Sequence, residues 1–114
     1  MEFQDKVALI SGGSSGIGLE TGKLLAERGA QVWLLARNRE RLQLALAEVE
    51  KMCRSPRQHC GTVVADVTDF TQVREAVAEV TEKCDLRALS NYNQLVEEFM
   101  ELLATISTTT TVVV

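Results

Sequence analysis

The chain is predicted to be an α/β protein built on a parallel sheet, and three observations support this. Short apolar runs alternate with segments of helical spacing through the first 84 residues, in the order β-α-β-α-β-α. The connections are short, and the first run, Val7-Ala8-Leu9-Ile10, is apolar throughout, as in strands buried on both faces. Right-handed crossovers then place the strands in the order 3-2-1, with helices on both faces of the sheet. We therefore predict a three-layer half-fold of the doubly wound type.

Length and composition restrict the class of protein further. The chain has 114 residues, which is the size of a single domain. Hydrophobic residues make up 46% and aromatic residues 4%, so the core must be aliphatic. A net charge of −4 and a pI near 5.0 argue against nucleic acid as a partner. The charged segment Met1–Lys6 does not resemble a signal peptide, and no apolar run is long enough to span a membrane, so we expect a cytoplasmic protein.

The three cysteines, Cys53, Cys60 and Cys84, show no metal-binding pattern. None of them forms a C-x-x-C motif, and His59 is the only histidine. An odd number of cysteines indicates reduced thiols in a cytosolic protein rather than a disulfide framework. We therefore predict no metal site and assign these four residues structural or incidental roles.

The first strand, helix and second strand are delimited by apolar runs and one glycine. Lys6–Ser11 is predicted as the first strand, and the first helix runs from about Ser15 to Arg28. Gly29 follows it at a position typical of helix C-termini. Gln31–Ala36 is the second strand.

The next helices are delimited by capping residues. Asn38 is a predicted N-cap for a helix that continues to about Cys53. Gly61–Ala65 is the third strand, and Asp69 is a predicted N-cap for a third helix that ends near Lys83.

The remaining residues, 85–114, have a different pattern. Asp85–Leu89 is predicted as a linker, and residues 92–106 have the spacing of an amphipathic helix. Every residue in Thr108–Val114 is β-branched, which indicates a strand. Placed beside the first strand, it gives a parallel sheet of about four strands in the order 3-2-1-4, although its own direction stays open. As an edge strand it also offers a route to a homo-oligomer.

A glycine-rich turn, Ser11-Gly12-Gly13-Ser14-Ser15-Gly16-Ile17-Gly18, joins the first strand to the first helix. Glycines adopt positive φ and let a ligand approach the backbone closely. The free N–H groups and partial positive charge at a helix N-terminus favour anions. The G-x-x-x-G-x-G spacing is a variant of the dinucleotide fingerprint. The sequence therefore predicts a Rossmann-like phosphate cradle, with Ser14 or Ser15 contacting phosphate or ribose.

The end of the second strand indicates which dinucleotide binds. An acidic residue there would bind the ribose hydroxyls of NAD, but the sequence is Ala36-Arg37-Asn38-Arg39-Glu40-Arg41. Guanidinium groups suit a 2′-phosphate because of their charge and forked donors. Alternatively, the arginines are solvated charges at the start of a helix, although a helix N-terminus disfavours cations. We predict NADP(H), with Arg37 as the main contact and Arg41 as a weaker one.

These motifs together resemble a known family. The glycine-rich turn, Ala36-Arg37-Asn38 and Ala65-Asp66-Val67 resemble the N-terminal part of a short-chain dehydrogenase/reductase. Gly-Gly-Ser-Ser-Gly combined with Ala-Arg-Asn-x-x-x-Leu is most similar to 3-ketodihydrosphingosine reductases, which reduce a long-chain ketone with NADPH. The resemblance extends from about Lys6 to Cys84. It implies cofactor contacts at the three strand ends, namely at Gly12, Ser14, Ser15, Gly16, Ile17, Arg37, Arg41, Asp66 and Val67.

The catalytic residues of that family are not found in this sequence. The family carries an Asn-Asn-Ala-Gly-like turn, a serine and a Tyr-x-x-x-Lys pair, in which the lysine lowers the pKa of the tyrosine. Here Tyr92 is followed four residues later by Val96. A tyrosine without a neighbouring cation keeps a pKa of about 10 and is a poor acid at neutral pH. We therefore predict no catalytic residue, and a chain that binds NADP(H) without reducing a substrate on its own.

The origin of residues 85–114 is left open by the sequence. They are compatible with a product of a different reading frame or splice event, with a fragment joined by design, or with a cap that covers the half-fold. The alternative to a cofactor-binding segment is accordingly a chimeric or minimal α/β scaffold, in which the cradle is inherited but has no enzymatic function.

Overall fold

The computed structural model describes residues 2–84, 94, 97–99, 101 and 110–113. The predicted alternation of strands and helices is confirmed. In chain order the elements are β1 (Val7–Ser11), α1 (Gly16–Glu27), β2 (Gln31–Ala36), α2 (Arg39–Met52), β3 (Gly61–Val64), α3 (Phe70–Lys83) and β4 (Thr110–Val113).

The sheet has the predicted order β3-β2-β1-β4. Strands β1 and β2 are parallel, with Val7 opposite Gln31, and β2 and β3 are parallel, with Trp33 opposite Gly61. Because these three strands run the same way, their carboxyl ends lie at one edge of the sheet. All five residues of β1 are buried, as its apolar sequence predicts.

Strand β4 departs from the parallel arrangement. It pairs with β1 in the antiparallel direction, with Thr110 opposite Ser11 and Val113 opposite Ala8. Helix α3 returns the chain to the amino edge, and the described residues between α3 and β4, namely 94, 97–99 and 101, are helical. Because Thr110 lies opposite Ser11, β4 starts at the carboxyl edge of the sheet and runs back toward the amino edge. The predicted linker at 85–89 and Tyr92 lie outside the described residues.

The two faces of the sheet are covered by different helices, which makes the fold three-layered. On one face, Ile10 and Leu34 pack with α1 and α2 through residues such as Ala26, Leu42 and Val49. The other face packs against α3 and also takes in one residue from the C-terminal segment; its cluster includes Leu9, Trp33, Leu35, Val63, Val73, Val80 and Phe99. Neighbouring strand residues therefore point to opposite faces.

The predicted helix ends are confirmed by their capping geometry. Gly29 has a φ of +102°, in the left-handed region that follows many helices. The side chain of Asn38 accepts a hydrogen bond from the backbone N–H of Arg41 at 2.9 Å. Asp69 Oδ1 accepts from the backbone N–H of Thr71 at 3.0 Å. None of the helices in the described part of the chain is long and apolar enough to cross a lipid bilayer.

Candidate functional site

Three chain segments meet at the carboxyl edge of the parallel strands. The backbone N–H of Gly12, just after β1, donates to the Leu35 carbonyl near the end of β2 at 2.9 Å. The N–H of Ala65, just after β3, donates to the Ala36 carbonyl at 3.0 Å. These hydrogen bonds fix the segments that follow the three strands beside one another, as the parallel topology predicts.

The glycine-rich turn has the conformation of a cradle. Gly12 and Gly16 have φ values of +66° and +57°, which side chains other than glycine adopt only with strain. A Cβ on Gly18 would overlap the carbonyl oxygen of Gly12, whereas a Cβ on Gly16 would meet nothing within 4 Å. Gly18 therefore allows the helix to pack against the turn, and the space beside Gly16 is open to a ligand.

The N-terminus of α1 is free of side-chain caps. Its N-cap residue is Ser15, whose side chain makes no capping hydrogen bond, and the first turn contains no acidic residue. Ile17 is 80% exposed in that turn, while Ser14 is half-buried. A helix N-terminus without a carboxylate or a capping hydroxyl retains its affinity for an anion. The residues present therefore fit a phosphate group.

The segment after β2 places a guanidinium at the same edge. Arg37 is exposed, and its side chain makes no hydrogen bond or ion pair with the residues that the structure describes. Arg41 is also exposed, on the first turn of α2. Arg39 instead lines a groove between β3 and α3 together with Glu75, which separates it from the cradle.

The segment after β3 presents the carboxylate of Asp66. Its Oδ1 accepts hydrogen bonds from the Thr68 hydroxyl at 2.7 Å and from the Thr68 backbone N–H at 2.9 Å. These two bonds, aided by the positive charge of Arg37, hold the pKa of the Asp66 carboxyl below its usual value. The carboxylate is thus ionised at neutral pH and acts as a hydrogen-bond acceptor. Val67, the next residue, is half-buried against the α3-face cluster.

Two residues at this edge were missed by the sequence analysis. Thr68 holds the Asp66 carboxylate, and Gln72 Oε1 accepts from the Asp66 backbone N–H at 3.0 Å while its Nε2 donates to Asp69. The Asp-x-Thr sequence at 66–68 is a signal for such a turn, because Asp side chains often accept from the backbone two residues on. Gln72 has no comparable sequence signal.

The predicted site residues fall into two groups. The cradle (Gly12–Ile17), Arg37 and Asp66–Val67 all lie at the carboxyl edge, and Arg41 lies one helical turn farther along α2. Thr110, the first residue of β4, also lies at this edge because it pairs with Ser11. Within the described ranges there is no cluster of three or more potential metal ligands.

The fold and this edge define an α/β protein with a phosphate cradle of the dinucleotide-binding type. The family model described as short chain dehydrogenase matches residues 6–93. The chain belongs to this family of oxidoreductases, which bind a nicotinamide dinucleotide. The match continues nine residues past Cys84, where the sequence resemblance ended.

Relatives of several activities match this chain. An uncharacterized oxidoreductase of Staphylococcus saprophyticus is 40% identical over 73% of this chain and 34% of its own length. Levodione reductase of Leifsonia aquatica is 40% identical over 71% and 30%. A 3-ketodihydrosphingosine reductase of Aspergillus fumigatus is 32% identical over 69% and 22%. The chain spans about a third of the first two relatives.

Solved structures with either cofactor are similar to this fold. An NAD⁺-bound xylitol dehydrogenase matches with a TM-score of 0.68 and 34% identity, covering 75% of this chain and 31% of the other. An actinorhodin polyketide ketoreductase with NADPH matches with a TM-score of 0.60 and 32% identity, covering 68% and 28%. The likeness therefore establishes the nucleotide-binding fold and not the choice between the two cofactors.

Proposed function

We propose that this chain is an NADP(H)-binding segment of a short-chain reductase. The observation that carries the proposal is the exposed Arg37, which lies at the end of β2 and forms no hydrogen bond or ion pair with the described residues. In dinucleotide-binding folds this position selects between a ribose hydroxyl and a 2′-phosphate. The charge of Arg37 helps to lower the Asp66 pKa, but no ion pair joins the two side chains, so the guanidinium donors stay available for a phosphate.

The remaining residues have matching roles in this proposal. The cradle, Gly12 to Ile17, binds the pyrophosphate through backbone N–H groups, with Ser14 and Ser15 as additional donors. The ionised Asp66 accepts a hydrogen bond from the adenine amino group, and Val67 contacts the same ring. Arg41 adds positive charge near the 2′-phosphate. When bound, the cofactor supplies hydride for the reduction of a carbonyl group.

The substrate class is a ketone, and a long-chain ketone such as 3-ketodihydrosphingosine is the specific proposal. It rests on the sequence motifs and on the similarity to the Aspergillus fumigatus reductase. The 114 residues contain no Tyr-x-x-x-Lys pair, so we propose that they are catalytically incomplete by themselves. A single domain over residues 1–114, a cytoplasmic location and pairing of two copies through the β4 edge belong to the same proposal.

Calorimetric titration with NADPH and NADH tests the cofactor assignment. Arg37→Ala should weaken NADPH binding by about 10–100-fold, since hydrogen bonds to a charged group contribute about 1.5–3 kcal/mol. NADH binding should change little. Arg57→Ala is the matched control, because Arg57 is exposed and lies in the loop at the opposite edge of the sheet.

The outcomes separate the two candidate functions. Equal weakening of NADPH and NADH by Arg37→Ala would contradict the 2′-phosphate role. Failure of the unmodified chain to bind either cofactor would instead favour the scaffold alternative. In the same samples, the chain with NADPH and a panel of ketones should show no protein-dependent loss of absorbance at the nicotinamide band.

A further inference from the structure

Two of the three cysteines lie against each other at the amino edge of the sheet. Cys53 caps the end of α2, and Cys60 directly precedes β3. Their sulfur atoms are 3.5 Å apart, and both residues are half-buried. A disulfide bond requires about 2.05 Å, so each sulfur must move by less than an ångström to form one.

The loop between the two cysteines is held in place by Gln58. Its Oε1 accepts from the backbone N–H groups of Arg54 and Ser55, at 2.8 and 3.0 Å. Its Nε2 donates to the carbonyls of Ala26 and Ala30, both at 2.8 Å. The loop is thereby fastened to the end of α1, and the two thiols face each other before any covalent bond exists.

The third cysteine is excluded from this pair by the sheet. Cys53 and Cys60 pack against the face covered by α1 and α2, whereas Cys84 packs against the face covered by α3. Cys84 therefore cannot reach either partner without unfolding, and the fold allows a single intramolecular disulfide.

We propose that Cys53 and Cys60 are a redox modification site, at which a low-molecular-weight disulfide oxidises the two thiols to an intramolecular disulfide. The Cys53 thiolate attacks one sulfur of the oxidant, which forms a mixed disulfide and releases one thiolate. Cys60 then loses its proton to solvent and attacks the Cys53 sulfur. The second oxidant thiolate leaves, so two protein thiols have given two electrons to one small disulfide, which becomes two thiols.

The surroundings of the Cys60 thiol determine which cysteine attacks the oxidant first. The pKa of the Cys60 thiol is raised to about 12, mainly by burial and in smaller part by the charge and hydrogen bonding of the adjacent Cys53 sulfur. Cys60 is therefore protonated at the start, and the first attack comes from Cys53. Once Cys53 is in a neutral mixed disulfide, its contribution to the high Cys60 pKa disappears, which favours the second step.

Thiol labelling after oxidation tests this proposal. The folded chain is incubated with oxidised glutathione, then unfolded in the presence of iodoacetamide to block every free thiol, and measured by intact mass and peptide mapping. Labelled thiols should fall from three to one, with the label on Cys84, a Cys53–Cys60 cross-link and no retained glutathione. Dithiothreitol should restore all three thiols. Three labelled thiols after oxidation, or glutathione retained on Cys53, would overturn the proposal.

Serine variants test the order of attack, with circular dichroism confirming that each variant is folded. Cys60→Ser should stop at a stable glutathione adduct on Cys53, since the resolving thiol is missing. Cys53→Ser should keep both remaining thiols free, because burial raises the pKa of Cys84 as well as that of Cys60. Cys84→Ser is the matched control and should form the cross-link like the unmodified chain. An adduct on Cys60 in Cys53→Ser would contradict the assigned order.

Discussion

At the scale of a single residue, the Asp66 carboxylate is kept ionised by hydrogen bonds from Thr68 in the same turn. It can therefore act as a hydrogen-bond acceptor. The Thr68 hydroxyl is 2.7 Å from its Oδ1, and this bond makes the largest contribution to the lowered pKa. Because the folded-state pKa is depressed, the ionised carboxylate stabilises the fold above the unfolded pKa. That stabilisation is lost as the pH falls through the folded-state pKa.

Thr68→Val removes the hydroxyl donor and keeps the shape of the side chain. We expect the Asp66 pKa to rise toward its ordinary value of 3.8, as measured by NMR titration of the carboxyl carbon. The variant should be less stable than the parent at neutral pH, and the difference should vanish in strong acid. Thr71→Val, an exposed control in the next turn, should leave the Asp66 pKa unchanged. An unaltered pKa in Thr68→Val would show that the backbone N–H and Arg37 suffice.

The positions of Arg37 and Asp66 could be predicted because they depend only on where a strand ends. In a parallel sheet the residues that follow each strand lie at the same edge. The apolar runs that mark the strands are therefore enough to place Arg37 and Asp66. The Thr68 and Gln72 contacts depend on side-chain rotamers within an irregular turn. These rotamers are determined by local packing, and they cannot be read from the pattern of residue types.

At the scale of the element, α1 contains two buried glycines with different surroundings. A Cβ on Gly18 would overlap backbone atoms of Gly12, which cannot move without opening the cradle. A Cβ on Gly22 would approach the side chains of Val32 and Leu34 at 3.3 Å, and these can shift by a few tenths of an ångström. Gly18 is therefore required by the backbone of the cradle, whereas Gly22 only needs to be a small residue.

Gly18→Ala should lower the free energy of unfolding by about 1–3 kcal/mol, the usual cost of overpacking. It should also weaken NADPH binding. Gly22→Ala is the matched control in the same helix. Its gain in helix propensity, about 1 kcal/mol, offsets the tight contacts, so its stability should change by less than about 1 kcal/mol. Urea denaturation and calorimetry measure both effects, and equal behaviour of the two variants would argue against a special role for Gly18.

Helix ends were predictable from sequence because a cap acts over two or three residues. Asn38 and Asp69 are examples, since each accepts from a backbone N–H at most three positions ahead. The role of Gln58 was not predictable, because the carbonyls that it binds belong to Ala26 and Ala30, about thirty residues earlier. A long-range contact of this kind becomes visible only once the elements are packed.

At the scale of the whole molecule, Phe99 is the core residue that the described part of the C-terminal segment contributes. Phe99 is 2% exposed and packs in the cluster with Leu9, Trp33 and Val73. The second half of a doubly wound fold would normally cover this face of β1. Here a phenylalanine from the C-terminal segment does so, which supports the interpretation of that segment as a cap.

Phe99→Ala should lower the free energy of unfolding by about 3–5 kcal/mol, as expected for a large buried aromatic side chain. Glu97→Ala, on an exposed position of the same segment, should change it by less than about 0.5 kcal/mol. Chemical denaturation monitored by Trp33 fluorescence measures both. If Phe99→Ala were as stable as Glu97→Ala, the Phe99 side chain would contribute nothing to the stability of the core.

The strand order was predictable for the whole molecule, but the direction of β4 was not. A β-branched run identifies a strand and the free edge of β1 gives it a place. The direction of β4 depends on how many times the chain crosses the sheet between α3 and β4. The amphipathic spacing of that segment does not predict how the segment is oriented.

The antiparallel β4 determines where the polypeptide enters and leaves the sheet. Ala8 and Val113 are opposite each other, so the first and last described strands begin and end side by side, at the edge away from the cradle. Paired residues of antiparallel strands lie about 5 Å apart. A peptide tether of a few residues would therefore bridge the two ends, and a fusion partner attached to either would lie at the edge opposite the cradle. Any polypeptide continuing beyond Val113 would have to traverse the full length of a strand before it could reach the edge that carries the cradle.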